Sequence, residues 1–261
     1  MGEDAMGDVV TLERQGAVAV ITLNRPEQRN CVNGAVSAAL RDAVKQVEAD
    51  DALRVTVLRG AGRVFCAGMD LKAFAARDVS GILDGEGGFA GFVRLPRTKP
   101  VIAAVQGAAL AGGLEVMLAC DMAIAERGTK FGLPEARLGL LAAAGGVFRL
   151  AQRIPPVKAR ELVLTGGLFG AEEAERYGLL NRVVEEGGAF DAAMALAAEI
   201  VASAPRSVAT GLELSRYLEL EAEARAWPVN DALFEEIFAS QDALEGARAF
   251  TEKRAPAWTG T

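Results

Sequence analysis

Residues 101–150 constrain the fold more than any other stretch. They open on VIAAV (Val101–Val105), which has the length and branching of a buried strand, and then pass through Gly107, Gly112 and Gly113, where the backbone can approach a neighbour closely. From Leu114 to Ala119 the chain is apolar except for Glu115. A carboxylate therefore sits in the first turn of a helix that leaves a glycine turn. A buried helix start presents free N–H groups and a positive dipole end, and both favour negative charge. Glu135 follows Pro134 twenty residues later (135 − 115 = 20), again among apolar residues and glycines. Each glutamate alone reads as a cap, a partner for Arg137 or Arg149, or an exposed turn residue. Two of them in one glycine-rich apolar frame point to acid and base chemistry.

The chain contains no histidine. Ser-His-Asp and Cys-His hydrolases, histidine metal sites and imidazole bases are therefore excluded, leaving carboxylates, Lys, Tyr and Cys to do any proton transfer. The net charge of −7, without a cationic cluster, argues against a nucleic-acid partner. No uncharged run is long enough to cross a bilayer, and residues 1–16 lack an apolar signal core, so no membrane association is expected and the cytoplasm is the expected compartment. Cys31, Cys66 and Cys120 are odd in number and widely spaced, which fits buried thiols; no metal site is expected.

In chain order, residues 9–12 and 18–23 read as a hairpin, and Val36, Leu40, Val44 and Val47 recur at helical spacing on an amphipathic surface helix. Residues 54–59 read as a strand, followed by the small-residue turn FCAGMDLK. Residues 73–98 are interrupted by Gly81, Gly85, Gly87, Gly88 and Gly91, which predicts a mobile segment of short helical pieces. Helices are expected over 157–165, 171–177 and 191–203, with a strand over 180–184. From 207 to 250 the pattern is helical with one break at Trp227-Pro228. The sum is an α/β core whose C-terminal part is a helical layer.

The segments FCAGMDLK, AVQGAALAGGLEVMLACDMAIA, FGLPEARLGL, LTG and AFTEKRAPAWTG occur in this order, and together they resemble the enoyl-CoA hydratase/isomerase, or crotonase, family over nearly the whole chain. The resemblance implies an α/β fold, a crotonase-type spiral of repeated ββα units with a C-terminal helical trimerisation region. Residues 1–200 would form the spiral core with the acyl-CoA site, and 201–261 the helical region of the same functional unit. It also implies an acyl-CoA thioester partner and assembly as a homotrimer or a dimer of trimers. No cofactor is implied beyond the coenzyme A of the substrate.

By the same resemblance, the thioester oxygen would accept the backbone N–H groups of Met69 and Gly112, and Glu115 and Glu135 would be the catalytic pair. Glu115 would mainly activate water, while Glu135 would mainly move the α-carbon proton. Arg29 and Lys72 would contact the CoA phosphates or adenine, Phe250 and Lys253 would meet CoA from an adjacent subunit, Asp70 would orient the oxyanion loop, and Ala67 and Leu71 would line the thioester channel. The sequence departs from the family pattern after Glu135, where residues 140–146 read LLAAAGG and give a more filled, more apolar pocket floor. The leading expectation is 2-enoyl-CoA hydratase. The alternatives are a Δ3,Δ2-enoyl-CoA isomerase, another crotonase-type lyase such as a carnitinyl-CoA dehydratase, and a non-catalytic acyl-CoA binder.

Overall fold

The structure, a computed structural model, describes residues 8–70, 80–83 and 85–261. Strands β1 (Val10–Gln15) and β2 (Val18–Leu23) form the expected antiparallel hairpin, closed at Gly16, whose φ of +62° suits a residue without Cβ. Helix α1 (Gly34–Ala49) starts where the Asn33 side chain accepts the Val36 N–H at 3.0 Å, and it buries Val36, Leu40, Val44 and Val47 as their spacing requires. It then crosses over to β3 (Val55–Gly60), which pairs parallel with β2.

From here the chain alternates between two sheets. Strand β4 (Val101–Val105) joins the large sheet and β5 (Ala108–Leu110) starts a small one; β6 (Met122–Glu126) and β7 (Lys130–Gly132) repeat the step. Strand β8 (Leu168–Gly170) completes the small sheet in the order β5-β7-β8, and β9 (Arg182–Val184) completes the large one in the order β1-β2-β3-β4-β6-β9. Helix α3 (Gly112–Ala119) lies between β5 and β6. The short α2 (Ser80–Leu83) precedes it, while α4 (Gly146–Arg153), α5 (Pro156–Thr165) and α6 (Ala171–Arg176) follow. This is the spiral of ββα turns that the resemblance implies.

The VIAAV strand is buried along its whole length because both faces of the large sheet are covered. Val101, Ala103 and Val105 face the main core, and Ile102 and Ala104 face a second core closed by α7 (Ala189–Ala202) through Ala189, Ala193 and Ala197.

Two expectations fail in instructive ways. The helix expected to break at Trp227-Pro228 runs unbroken as α8 (Pro205–Phe238). The missing Pro228 N–H is tolerated because both flanks are tethered to the core. Trp227 meets Phe148 edge-on at 4.8 Å between ring centres and lies under the Arg94 guanidinium, and the Asn230 amide donates to the Ala143 carbonyl at 2.8 Å. The break comes instead at Ser240, whose hydroxyl caps α9 (Gln241–Glu252) by accepting the Ala243 N–H. Within residues 73–98, positions 73–79 and 84 lie outside the described residues. The rest forms the short helical pieces expected, α2 and a 3-10 turn at Phe89–Gly91, but from Phe89 onward it is core: Phe89, Ala90, Phe92 and Val93 are buried. The glycines serve close packing there, since a Cβ on Gly87 would strike the Gly91 carbonyl.

Candidate active site

The oxyanion turn is assembled by backbone pairing. After β3 the chain runs beside β5: the Cys66 N–H donates to the Ala108 carbonyl at 3.2 Å and the Leu110 N–H to the Cys66 carbonyl at 3.1 Å. Two residues on, Val32 donates to the Gly68 carbonyl and Asp70 donates to the Val32 carbonyl, both at 2.8 Å. This bridge passes over Met69 and leaves its N–H without an acceptor. Gly112 is the first residue of α3, so its N–H has no intrahelical partner. Among the described residues no hydrogen bond takes the N–H of Met69 or of Gly112. The two segments touch: a Cβ placed on Gly68, where φ is +97°, would lie 3.2 Å from the Gly112 nitrogen and 2.9 Å from the Ala111 Cβ. Two free amides thus stand side by side at a helix start, which is an arrangement suited to holding an oxyanion.

Ala111, just before α3, has φ 51° and ψ −130°, a region that residues with a Cβ rarely occupy. Its carbonyl accepts the N–H groups of Leu114 and Glu115, at 2.9 and 3.2 Å, which fixes the direction in which α3 leaves the turn. Ala111→Gly removes the strain and is expected to stabilise the fold by about 1 kcal/mol, or about 2–4 °C in Tm. A fall in Tm would show instead that the Ala111 methyl holds the turn together.

Glu115 is buried on α3, and its Oε1 accepts the Gly146 N–H at 2.8 Å. It neither caps α3 nor pairs with Arg137, whose Nε is committed to the Thr165 carbonyl. Glu135 is buried on the 3-10 turn Pro134–Leu138, and its Oε2 has no hydrogen-bond partner. Burial pushes both carboxyls well above their ordinary range. For Glu115 the backbone N–H bonds from Gly146 and Ala144 and the charge of Arg149 work against the rise, whereas for Glu135 the charge of Glu115 adds to it. The two titrate as a pair, and a shared proton near neutral pH follows from that repulsion in a dry site.

The other expected site residues take up different positions around the chain. Ala67 borders the oxyanion loop, and its N–H donates to the Arg29 carbonyl at 3.1 Å, so Arg29, exposed and left-handed at φ 51°, stands at the loop's outer edge. Asp70 follows the loop and forms an ion pair with Arg25 at 3.0 Å. Leu71 and Lys72 lie outside the described residues. Phe250 and Lys253 are exposed near the end of α9.

Sequence reasoning missed three contributors. Phe89 lays its ring edge against Gly112, where any Cβ would collide with it. The Gly145-Gly146 turn, read from sequence only as pocket floor, supplies the donor to Glu115. Helix α9 backs the Glu135 turn so closely that a Cβ on Gly246 would overlap the Leu138 carbonyl. Gly246 was visible in the sequence, but which backbone approaches it is a long-range fact.

Free amides at a helix start beside two buried carboxylates define a class of enzyme that polarises a carbonyl and moves protons at the carbons next to it. The model of the enoyl-CoA hydratase/isomerase family matches residues 13–261, and the chain belongs to that family. It is 40% identical to a carnitinyl-CoA dehydratase of Salmonella typhi over 98% of this chain and 100% of the relative. Among solved structures it is similar to a carnitinyl-CoA hydratase from Mycobacterium avium, with 43% identity and a TM-score of 0.92, and to an enoyl-CoA hydratase from Mycobacterium tuberculosis H37Rv, with 45% identity and a TM-score of 0.76. Each match covers 98% of this chain and 100% of the other.

Proposed function

We propose that the protein is a 2-enoyl-CoA hydratase, adding water reversibly across the double bond of an enoyl-CoA thioester to give the 3-hydroxyacyl-CoA. The observation that carries this reading is the pairing of two unbonded amides, on Met69 and Gly112, with two buried carboxyls of raised pKa. The thioester oxygen accepts both N–H groups. Ionised Glu115 takes a proton from water as the water oxygen bonds to Cβ, and the displaced electron pair moves through Cα to the thioester oxygen. Protonated Glu135 then delivers its proton to Cα as the carbonyl re-forms, and the proton left on Glu115 resets the pair. Each amide contributes about 3–4 kcal/mol to stabilising the enolate-like charge.

Isomerisation between Δ3 and Δ2 needs one proton shuttle, so the presence of both glutamates favours hydration. Dehydration of a carnitinyl thioester uses the same chemistry in reverse and is supported by the names of the relatives at 40–43% identity. A homotrimer or dimer of trimers fits the apolar side chains of Leu214, Tyr217 and Leu218, which are exposed on α8. A cytoplasmic location is part of the same reading. Incubation with crotonyl-CoA, crotonobetainyl-CoA and a 3-enoyl-CoA in 18O-labelled water tests it: one labelled oxygen at C3 of the 3-hydroxybutyryl-CoA formed from crotonyl-CoA supports hydratase action, and a double-bond shift without label contradicts it. Turnover of crotonobetainyl-CoA alone would assign the carnitinyl reaction, and CoA binding without turnover would reduce the protein to a binder.

A further inference from the structure

Besides the Trp227 contact with Phe148, helix α8 docks on the core through a stripe of ion pairs. Arg216 pairs with Asp121, Glu219 with Arg153 at 3.9 Å, Glu223 with Arg149 at 2.6 Å, and Asp231 with Arg94, at helical spacings of three, four and eight residues. Among these pairs Glu223–Arg149 is the most buried, with side chains 12% and 7% exposed. Both carboxylate oxygens of Glu223 accept from Arg149, Oε1 from Nε at 2.7 Å and Oε2 from Nη2 at 2.6 Å. Nη2 also donates to the Val93 carbonyl at 2.7 Å. The remaining nitrogen, Nη1, is buried without a partner and lies against the Gly145-Gly146 turn, 3.1 Å from where a Gly145 Cβ would stand. That turn is the one whose Gly146 N–H holds Glu115. The Arg149 N–H donates to the Gly145 carbonyl at 3.0 Å, so the side chain and the turn it rests on belong to one helical turn.

We propose that Arg149, clamped by Glu223 of α8, is a positioning residue that holds the Gly145-Gly146 turn, and through it the carboxylate of Glu115, in the geometry that activates water. The C-terminal helix thereby sets the working state of a catalytic group it does not touch. The inference deepens the hydratase reading and rests on it for the role of Glu115. The guanidinium acts in two ways: it fixes the turn by its bidentate anchor, and its positive charge favours the ionised form of Glu115. Glu223 tempers that charge. The other charged groups on elements packed against α3 are Glu135 and, at the C-terminal end of α3, Arg97 and Arg153, which donate to the Ala119 and Cys120 carbonyls, with Asp121 beside them. Both substitutions leave all of these side chains in place; Glu135, which titrates together with Glu115, follows whatever shift Glu115 undergoes.

The signs separate positioning from mere packing. Arg149→Met removes the positive charge, so Glu115 holds its proton to higher pH and the acid limb of the kcat profile moves up by about one pH unit. Glu223→Gln leaves the guanidinium uncompensated, so the limb moves down. In both variants kcat at pH 7 is expected to fall about tenfold while KM for crotonyl-CoA changes less than about twofold. Glu223→Asp is expected to restore the wild-type profile in part. If Arg149→Met does not fold, the Glu223→Gln and Glu223→Asp pair still decides the matter. The carboxyl 13C shift of Glu115, assigned through Glu115→Gln, titrates independently of turnover and must move in the same opposite directions. Limbs and titrations that stay put, or move the same way in both variants, would overturn the proposal. A wild-type protein that fails to hydrate crotonyl-CoA but shows the opposite 13C shifts would instead sink the hydratase reading and leave the linkage standing.

Discussion

Glu135→Gln is expected to fold normally and to lower kcat for crotonyl-CoA hydration by about a thousandfold, within the range that loss of a general acid or base produces, with KM nearly unchanged. Gln keeps the shape of the side chain but cannot deliver a proton to Cα, while the Met69 and Gly112 amides still bind the thioester. The same substitution is expected to change the pH dependence of stability. The Glu135 carboxyl is held above its ordinary value in the folded protein by burial and by Glu115. Below the unfolded pKa the carboxyl is protonated in both states and costs nothing. As pH rises, the unfolded chain ionises first, so stability is lost until the folded group ionises as well. Wild type is therefore expected to lose stability between about pH 5 and pH 9 relative to Glu135→Gln. With the carboxyl raised from 4.5 to about 8, the gap reaches up to about 5 kcal/mol, at about 1.4 kcal/mol per unit of displacement, or more than about 10 °C in Tm. Thermal melts across that range check it. Parallel curves would show that the carboxyl is not desolvated, and undiminished turnover would remove Glu135 from the chemistry.

The second large effect is expected at Gly113, which plays no chemical part. A Cβ there would overlap the backbone carbonyl of Cys66, the same carbonyl that accepts the Leu110 N–H and so registers the Met69 loop against β5. Backbone cannot rotate away as a side chain would. Gly113→Ala must push the two segments apart, costing about 3 kcal/mol of stability as an overpacked core does. Separating the two amides is expected to lower kcat/KM by about a hundredfold or more, the scale of losing one oxyanion donor. Gly211→Ala is the control: that glycine is exposed on α8 with nothing within 4 Å, so alanine is expected to raise stability by about 0.5–1 kcal/mol through helix propensity and leave kinetics alone. Equal behaviour of the two variants would mean that the close approach at Gly113 carries no geometric information.

Much of this architecture could be read from local pattern. The hairpin, the buried face of α1 and the VIAAV strand each follow from a periodicity contained within one element, and the glycine turn before Glu115 marked the helix start that carries a free amide. What stayed hidden depends on contacts between distant segments. Pro228 signals a break by every local rule, and only the tethers of Trp227 and Asn230 to the core keep α8 continuous. The loop around Phe89 reads as mobile because its glycines supply flexibility in isolation, yet the folded chain uses them for contact with α1: a Cβ on Gly91 would strike the Ser37 carbonyl. The partner of Arg149 lies 74 positions along the chain, beyond the reach of any spacing argument. Glu115 and Glu135 were legible as a pair only because each is a charge set in an apolar run.

The central claim is tested most directly by determining the structure with an unreactive saturated thioester, butyryl-CoA, bound. The account requires the thioester oxygen to lie about 3 Å from both the Met69 and Gly112 nitrogens, with Cα and Cβ between the carboxyls of Glu115 and Glu135. A thioester seated elsewhere, or an oxygen that engages neither amide, would contradict it.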